Sequence, residues 1–177
     1  MRRLGASLGL CALAVILLVW LALGRAAQET GGSDEAGLIR IEGVDVRVSP
    51  IGPVVLLKVQ DKAIPIFVDA VVAQSIHGAL SGETLPRPLS HDLMRTILEG
   101  FDAKVSRVVI TLKGGTYYAD LTVLMRGTAK VFDSRSSDAI ALAIHFKAPM
   151  LVSQELIDKA GTMLDAPAEA KPGGTRL

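Results

Sequence analysis

Two connections in this sequence are too short to cross over a sheet, and they constrain the fold more than any other feature. Gln60-Asp61-Lys62 joins one pair of β-type runs, and Lys113-Gly114-Gly115 joins another. Parallel strands need a connection of a dozen or more residues, so both pairs must form antiparallel hairpins. In the last of these runs the alternation of residues gives one shared face, made of Tyr117, Ala119, Leu121, Val123 and Met125.

Two further strands are predicted outside the hairpins. The alternating pattern over residues 38–49 indicates one continuous strand, which ends before the turn at Pro50 to Pro53. A short strand is predicted over residues 129–132.

Helical spacing replaces the alternation in three stretches. Val72, Ile76 and Leu80 lie four residues apart, which predicts a first helix starting after Asp69. A second helix is predicted with Ser90 as its N-cap, and a third is predicted with Ser136 or Ser137 as its cap. The second carries one apolar stripe, made of Leu93, Met94, Ile97, Leu98 and Phe101.

A last short helix is predicted over residues 154–160. Strands and helices do not alternate regularly along the chain. The sequence therefore predicts an α+β fold, with a mixed or antiparallel sheet and about three helices, preceded by an N-terminal transmembrane or signal helix.

The N-terminal segment is a run of 21 residues without a charge, from Leu4 to Gly24. That length spans a bilayer as a helix, and Arg2 and Arg3 before it favour a cytoplasmic N-terminus with an exported domain behind it. A cleaved secretory signal peptide has the same layout, which would make the domain secreted or periplasmic. Both interpretations stay open, with the membrane contacted through residues 4–24.

The rest of the chain divides by composition. Residues 25–37 have the polar, glycine-containing composition of a linker, and residues 165–177 that of a disordered tail. The folded domain is therefore predicted over residues 38–164, behind an anchor or signal peptide over residues 1–24.

Charge and cysteine content exclude several kinds of site. The formal net charge is +1, so any site for a polyanion must be a local patch. The one cysteine, Cys11, lies in the apolar N-terminal run. Disulfides, thiolate–metal sites and a nucleophilic cysteine are therefore excluded from the domain.

His91 and Asp92 are the first candidate site residues, because they follow a proline-bracketed turn and begin a helix. His91 would act as an acid/base, and Asp92 would orient it or bind a metal. The alternative is that Asp92 only stabilises the N-terminus of its helix. The two other histidines, His77 and His145, match no common zinc spacing.

The densest polar run of the domain is Asp133-Ser134-Arg135-Ser136-Ser137-Asp138. A cation, hydroxyl groups and a helix N-terminus together can hold a phosphate. The alternative is an N-cap with more polar groups than it needs. Carboxylates such as Asp92 and Asp138 could hold Mg²⁺, which prefers oxygen ligands. The sequence does not show whether these two side chains lie close together in the fold.

A series of motifs in one order resembles the bifunctional nuclease domain family, from about Val44 to Gly161. The most specific are Pro86-Arg87-Pro88-Leu89-Ser90-His91-Asp92-Leu93 and Ser134-Arg135-Ser136-Ser137-Asp138-Ala139-Ile140. Two departures are Ser136, where the family usually has proline, and Asp120, where a basic residue is common.

The resemblance implies an α+β domain, cleavage of RNA and DNA, and self-association. Together with the chemistry above, it suggests a hydrolase with Mg²⁺ or Mn²⁺ as cofactor. Its site would have His91, Asp92 and Asp138 as catalytic residues, Asp92 and Asp138 as metal ligands, and Arg135 and Ser137 as the phosphate contacts. The alternative is a non-catalytic, oligomeric binding or assembly module, in which the Arg135-to-Asp138 run is a structural cap.

Overall fold

The computed structural model describes residues 37–83 and 85–163, which form nine strands and four helices. In chain order the elements are β1 (Leu38–Arg40), β2 (Gly43–Ser49), β3 (Gly52–Val59), β4 (Lys62–Phe67), α1 (Ala70–Ser81), α2 (Ser90–Gly100), β5 (Ala103–Lys113), β6 (Thr116–Met125), β7 (Thr128–Arg135), α3 (Ser136–Phe146), β8 (Met150–Ser153), α4 (Gln154–Ala160) and β9 (Thr162–Met163).

The strands form two sheets rather than the single predicted one. One sheet has the order β1-β8-β5-β6-β7, and the other has the order β2-β3-β4-β9. Both predicted hairpins are confirmed, with Val59 opposite Lys62 and Lys113 opposite Thr116. Strands β5 and β8 pair in parallel, and helix α3 lies between β7 and β8 in the chain. The α+β class is therefore correct, but the described residues form two sheets instead of one. The predicted total of about three helices left out the short helix over residues 154–160, which is α4.

The predicted single strand over residues 38–49 is two strands in different sheets. The N–H of Ile41 donates to the carbonyl of Met150 in the first sheet, at 2.9 Å. The next N–H, that of Glu42, donates to the carbonyl of Lys58 in the second sheet, at 2.8 Å. The alternation changes phase at this junction, because Ile39 and Ile41 are followed by Val44 and Val46, and the prediction of one continuous strand did not account for that shift.

One core takes residues from both sheets and from α1, α3 and α4, and within it α3 packs against the five-stranded sheet and against α1. Five consecutive residues of α3 are buried, so the helix is apolar around most of its circumference, as expected for a core helix. These residues are Ala139, Ile140, Ala141, Leu142 and Ala143. In β6 the face that the alternation groups together is buried at Ala119, Leu121 and Val123, whereas Met125 at its end is 47% exposed.

Two predicted helix caps were wrong by one or two residues. Strand β7 continues to Arg135, so Arg135 is the N-cap of α3, and Ser136 and Ser137 lie inside its first turn. Helix α2 is capped by Leu89 instead of Ser90. Its side-chain partner is Asp92, whose Oδ2 accepts the N–H of Leu89 at 2.9 Å. The carboxylate of Asp92, in the first turn, thus reaches back to the backbone N–H of the capping residue, as the acidic residue of a capping box does.

The apolar stripe predicted the existence of α2 but not the side that it buries. His91 is buried and Leu98 is half-buried, whereas the remaining apolar side chains of the stripe are exposed, from 42% to 63%. The exposed residues are Leu93, Met94, Ile97 and Phe101. The helix therefore contacts the domain through His91 and Leu98 and presents an apolar face to solvent.

The predictions for the anchor or signal peptide, for most of the linker and for the tail fall on residues outside those described. Within the described ranges, no helix combines the length and the apolar character that crossing a membrane requires.

Candidate functional site

His91 lies where three helices meet and is 5% exposed. Its Nδ1 is 2.9 Å from Oγ of Ser75 on α1, and its Nε2 is 3.2 Å from Oδ1 of Asp138 on α3. Because a buried imidazole loses water at both nitrogens, it needs a partner on each side. Ser75 and Asp138 supply those partners, so the side chain of His91 connects α1, α2 and α3.

Arg135 extends this cluster to the surface. Its Nε donates to Oδ2 of Asp138 at 2.8 Å, and its Nη2 donates to Oδ1 at 2.9 Å. The pair is bidentate, which is the strongest geometry between a guanidinium and a carboxylate. The side chain of Arg135 is 69% exposed, so the cluster runs from a buried serine to a cation in solvent.

The carboxyl of Asp138 is held ionised by these contacts. Burial raises its pKa, but the hydrogen bonds from Arg135 and His91 outweigh burial, so the pKa of Asp138 lies below its ordinary value. The pKa of Arg135 is raised, first by its hydrogen bond to Asp138. The two groups therefore stay charged across the physiological range.

The ionised carboxylate also determines the orientation of the imidazole. A carboxylate only accepts hydrogen bonds, so Nε2 of His91 carries the hydrogen that points at Asp138. In the neutral ring Nδ1 is then an acceptor, and the hydroxyl of Ser75 donates to it. The result is a serine–histidine–aspartate arrangement, in which the histidine is held in one tautomer from both sides.

Asp92 has different partners from its neighbour His91. Its Oδ2 accepts the N–H of Leu89, and its Oδ1 lies 3.6 Å from Nε2 of His145. The side chain of His145 is 5% exposed, and in the described part of the chain its Nε2 has no hydrogen-bond partner. Burial lowers the pKa of His145, and nearby Asp92 only partly opposes this, so the imidazole is neutral at pH 7.

Ser137 lies in the first turn of α3, one residue before Asp138, and is half-buried. Across residues 37–83 and 85–163, no three His, Cys, Asp or Glu side chains come together as a metal site would require. The two proposed metal ligands, Asp92 and Asp138, make their contacts with different groups. Metal dependence stays a prediction.

A cleft of about 420 Å³ adjoins the cluster. Its walls come from α1, from the segment that leads into α2, from the first half of α2 and from the end of α3. Ser75, Asp92 and His145 all line it. Ser75 therefore belongs both to the His91 cluster and to the cleft.

Two of these residues, Ser75 and His145, were not singled out as functional from the sequence. Ser75 gave a usable signal, because it is a polar residue on the side of α1 that also carries Val72 and Ile76. His145 gave none, because an imidazole near a helix end is explained equally well by the helix dipole. His77, by contrast, is exposed on α1.

Comparison with known proteins agrees with the motifs. A model of the bifunctional nuclease domain matches residues 54–165, which begins later than the resemblance from Val44 suggested. The chain is 31% identical over 131 residues to an uncharacterized protein of Mycobacterium tuberculosis strain CDC 1551 / Oshkosh, covering 72% of this chain and 78% of that protein. The same values hold for an uncharacterized protein of strain ATCC 25618 / H37Rv.

The family model covers most of the described domain, including every residue of the His91 cluster. The ordered motifs, the α+β fold and the sequence identity over most of both chains agree. This chain belongs to the bifunctional nuclease domain family.

Proposed function

We propose that this domain hydrolyses phosphodiester bonds in RNA or DNA, with His91 as its general acid/base. The observation that supports the proposal best is the position of His91 between Ser75 and Asp138, with Arg135 bound to the same carboxylate. An acid/base held in one orientation by a carboxylate is a recurring device of hydrolases.

Asp138 orients His91 and stabilises the imidazolium that forms when His91 takes up a proton. Such a pairing keeps the charge-bearing form of the base close to an anion, which lowers the free energy of the transition state. Since the carboxylate of Asp138 also binds Arg135, it holds a cation beside the reacting groups without a metal.

Arg135 and Ser137 are the proposed phosphate contacts. The guanidinium has five N–H donors, and Asp138 accepts from two of its nitrogens, so donors remain on its exposed side. The hydroxyl of Ser137 and the N-terminus of α3 lie next in the chain, where backbone N–H groups favour an anion. A phosphate bound there would lie on the solvent side of Asp138.

Asp92 is proposed as an orienting residue or metal ligand, and Mg²⁺ or Mn²⁺ as the cofactor. Mg²⁺ keeps several of its waters and often binds through one or two carboxylates, so a site with few protein ligands suits it. We also propose that the domain reaches its substrate on the exported side of a membrane, either anchored through residues 4–24 or released by cleavage there.

A second candidate function is a non-catalytic, oligomeric binding module. The exposed apolar face of α2 favours it, because contiguous apolar surface of this kind marks interaction sites. In that case the bidentate contact between Arg135 and Asp138 is a structural link at the start of α3, and self-association uses the face around Ile97.

The deciding experiment is cleavage of single-stranded RNA and DNA by the purified full-length chain, with Mg²⁺, with Mn²⁺ or with EDTA. We expect His91→Gln and Asp138→Asn to lower the rate 10²- to 10⁴-fold, which is the usual contribution of a positioned acid/base. Asp61→Asn, in an exposed turn, removes a carboxylate away from the cluster and serves as the control.

Three outcomes separate the possibilities. Loss of cleavage in both cluster variants, with Asp61→Asn fully active, supports the proposed nuclease, and the EDTA arm decides whether a metal takes part. Cleavage by His91→Gln at the rate of the unchanged chain would remove His91 from the reaction. Absence of cleavage under all conditions, together with concentration-dependent association, would favour the binding module.

A further inference from the structure

The cleft beside the His91 cluster has the size of a small-molecule site. Its volume of about 420 Å³ lies within the range of roughly 300–1,000 Å³ that is typical of such sites. Gly78 of α1 forms part of its wall. A Cβ at that position would meet only the carbonyl of Glu83, at 3.5 Å, so a side chain there has room to enter the cleft.

The wall holds a buried group whose hydrogen bonding is incomplete. Nε2 of His145 is 3.6 Å from Oδ1 of Asp92, which is too long for a hydrogen bond. A polar atom that is removed from water without a partner costs free energy, and such atoms are rare in native structures. Both side chains line the cleft, so a ligand bound to Asp92 would alter this contact directly.

The rest of the lining offers three kinds of contact. Arg95 and Lys147 are cations, and Asp92 and Glu83 are anions. The apolar part consists of Leu85, Pro88, Leu89 and Ile144. Arg95 pairs with Glu99 at 3.6 Å on the exposed side of α2, and an exposed pair of this kind is weak enough to exchange partners.

Only some ligands would use all three contacts. A simple anion would bind the two cations but would leave the apolar wall unused and would be repelled by the carboxylates. An apolar ligand would bury the charges without a partner. A nucleotide combines an anionic phosphate, a flat apolar ring and a ring edge with N–H donors, which match the cations, the apolar wall and Asp92 in turn.

The cleft also reaches the cluster to which the reaction is assigned. Ser75 lines the cleft and is hydrogen-bonded to His91 through Oγ. The same residue, Ser75, therefore belongs to the wall of the cleft and contacts the imidazole of His91.

We propose that the cleft binds one nucleotide of a single-stranded nucleic acid, with its base against the apolar wall and its phosphate at Arg95 and Lys147. The choice of ligand rests on the proposed function, because the nuclease reaction is what makes a nucleotide the matching compound. Since a base can enter such a cleft only when it is unstacked, the proposal also implies preference for single strands.

The test is calorimetric titration of the full-length chain with the four ribonucleoside monophosphates. We expect saturable binding that Gly78→Leu weakens at least tenfold, because the new side chain fills the cleft. Gly100→Leu is the matched control, since a Cβ at Gly100, outside the cleft lining, meets nothing within 4 Å. The melting temperature of each variant confirms that it is folded.

A second pair of variants tests the position of the phosphate. Arg95→Gln combined with Lys147→Gln should weaken binding of the monophosphates but leave binding of the uncharged nucleosides unchanged. Lys104→Gln combined with Lys130→Gln removes the same charge from the exposed surface of β5 and β7 and should have no effect on either.

The outcomes distinguish this inference from the proposed reaction. Binding that Gly78→Leu abolishes supports the nucleotide site even if the chain cleaves no nucleic acid. Absence of saturable binding, or equal binding by Gly78→Leu and Gly100→Leu, overturns the inference even if cleavage is observed.

Discussion

Some site residues of this domain could be predicted from the amino-acid sequence, and others could not. His91, Arg135 and Asp138 were predicted as site residues from local motifs, and the structure brings all three into one cluster. Ser75 was missed because a single serine in an apolar helix usually has no functional role. Its role depends on α2, which begins fifteen residues later and brings His91 against it.

The buried His145 makes the stability of the domain depend on pH. Burial places the pKa of His145 below its ordinary value of 6.5. The unfolded chain therefore takes up a proton near pH 6.5, while the folded protein does so only at lower pH. The contribution of His145 to stability is complete above pH 6.5 and is lost as the pH falls through the folded-state pKa.

We therefore expect the free energy of unfolding to decrease from pH 7 to pH 5, and His145→Gln to reduce that decrease. Urea denaturation at several pH values measures it. His77→Gln is the control, because His77 is exposed on α1. An unchanged pH dependence in His145→Gln would show that other groups cause the decrease.

Elements were predicted more reliably than the way in which they pack. Apolar periods and cap residues located the three longer helices, a last short helix was predicted over residues 154–160, and the short turns located both hairpins. The buried face of α2 could not be predicted, because its apolar stripe and its buried side differ. Nothing in the stripe itself indicates that His91, with partners on two other helices, would face inward instead.

The N-cap of helix α1 contributes to the stability of that helix. Asp69 is its N-cap, and Oδ1 of Asp69 accepts the N–H of Val72 at 2.9 Å. Because the first N–H groups of a helix have no partner within it, loss of this cap leaves one of them unsatisfied. We expect Asp69→Ala to lower the free energy of unfolding by about 1 kcal/mol.

Urea denaturation of Asp69→Ala and of Asp61→Ala measures this effect. Asp61 lies in the exposed turn between β3 and β4, so its replacement should change stability by less than about 0.5 kcal/mol. Equal losses in the two variants would mean that the cap does not stabilise α1.

For the whole domain, the α+β fold class could be predicted from the sequence, but the division of the strands into two sheets could not. The division depends on pairings between distant segments, such as β1 with β8 and β4 with β9. A strand pattern shows which residues face the core, but it does not name the partner strand. The family resemblance, which rested on the order of several motifs, was confirmed by the match to residues 54–165.

The pairing of β1 with β8 contributes to the thermal stability of the whole domain. A chain that starts at Gly43 lacks β1 and also lacks Ile41, which is 6% exposed in the intact domain. Its loss uncovers an edge of β8 and part of the core, so we expect a lower melting temperature than for a chain that starts at Gly37. Thermal unfolding followed by circular dichroism compares the two, and equal melting temperatures would contradict the expectation.

The transfer of the chain from one sheet to the other at Ile41 and Glu42 has a mechanical consequence. Any tension applied through the N-terminal residues reaches the domain at β1, a strand of only three residues. The next strand, β2, is seven residues long and is held in the other sheet, where each of its residues pairs with β3. A pull would therefore detach β1 from β8 first and meet its main resistance at β2, so that β1 yields under load before the rest of the domain does.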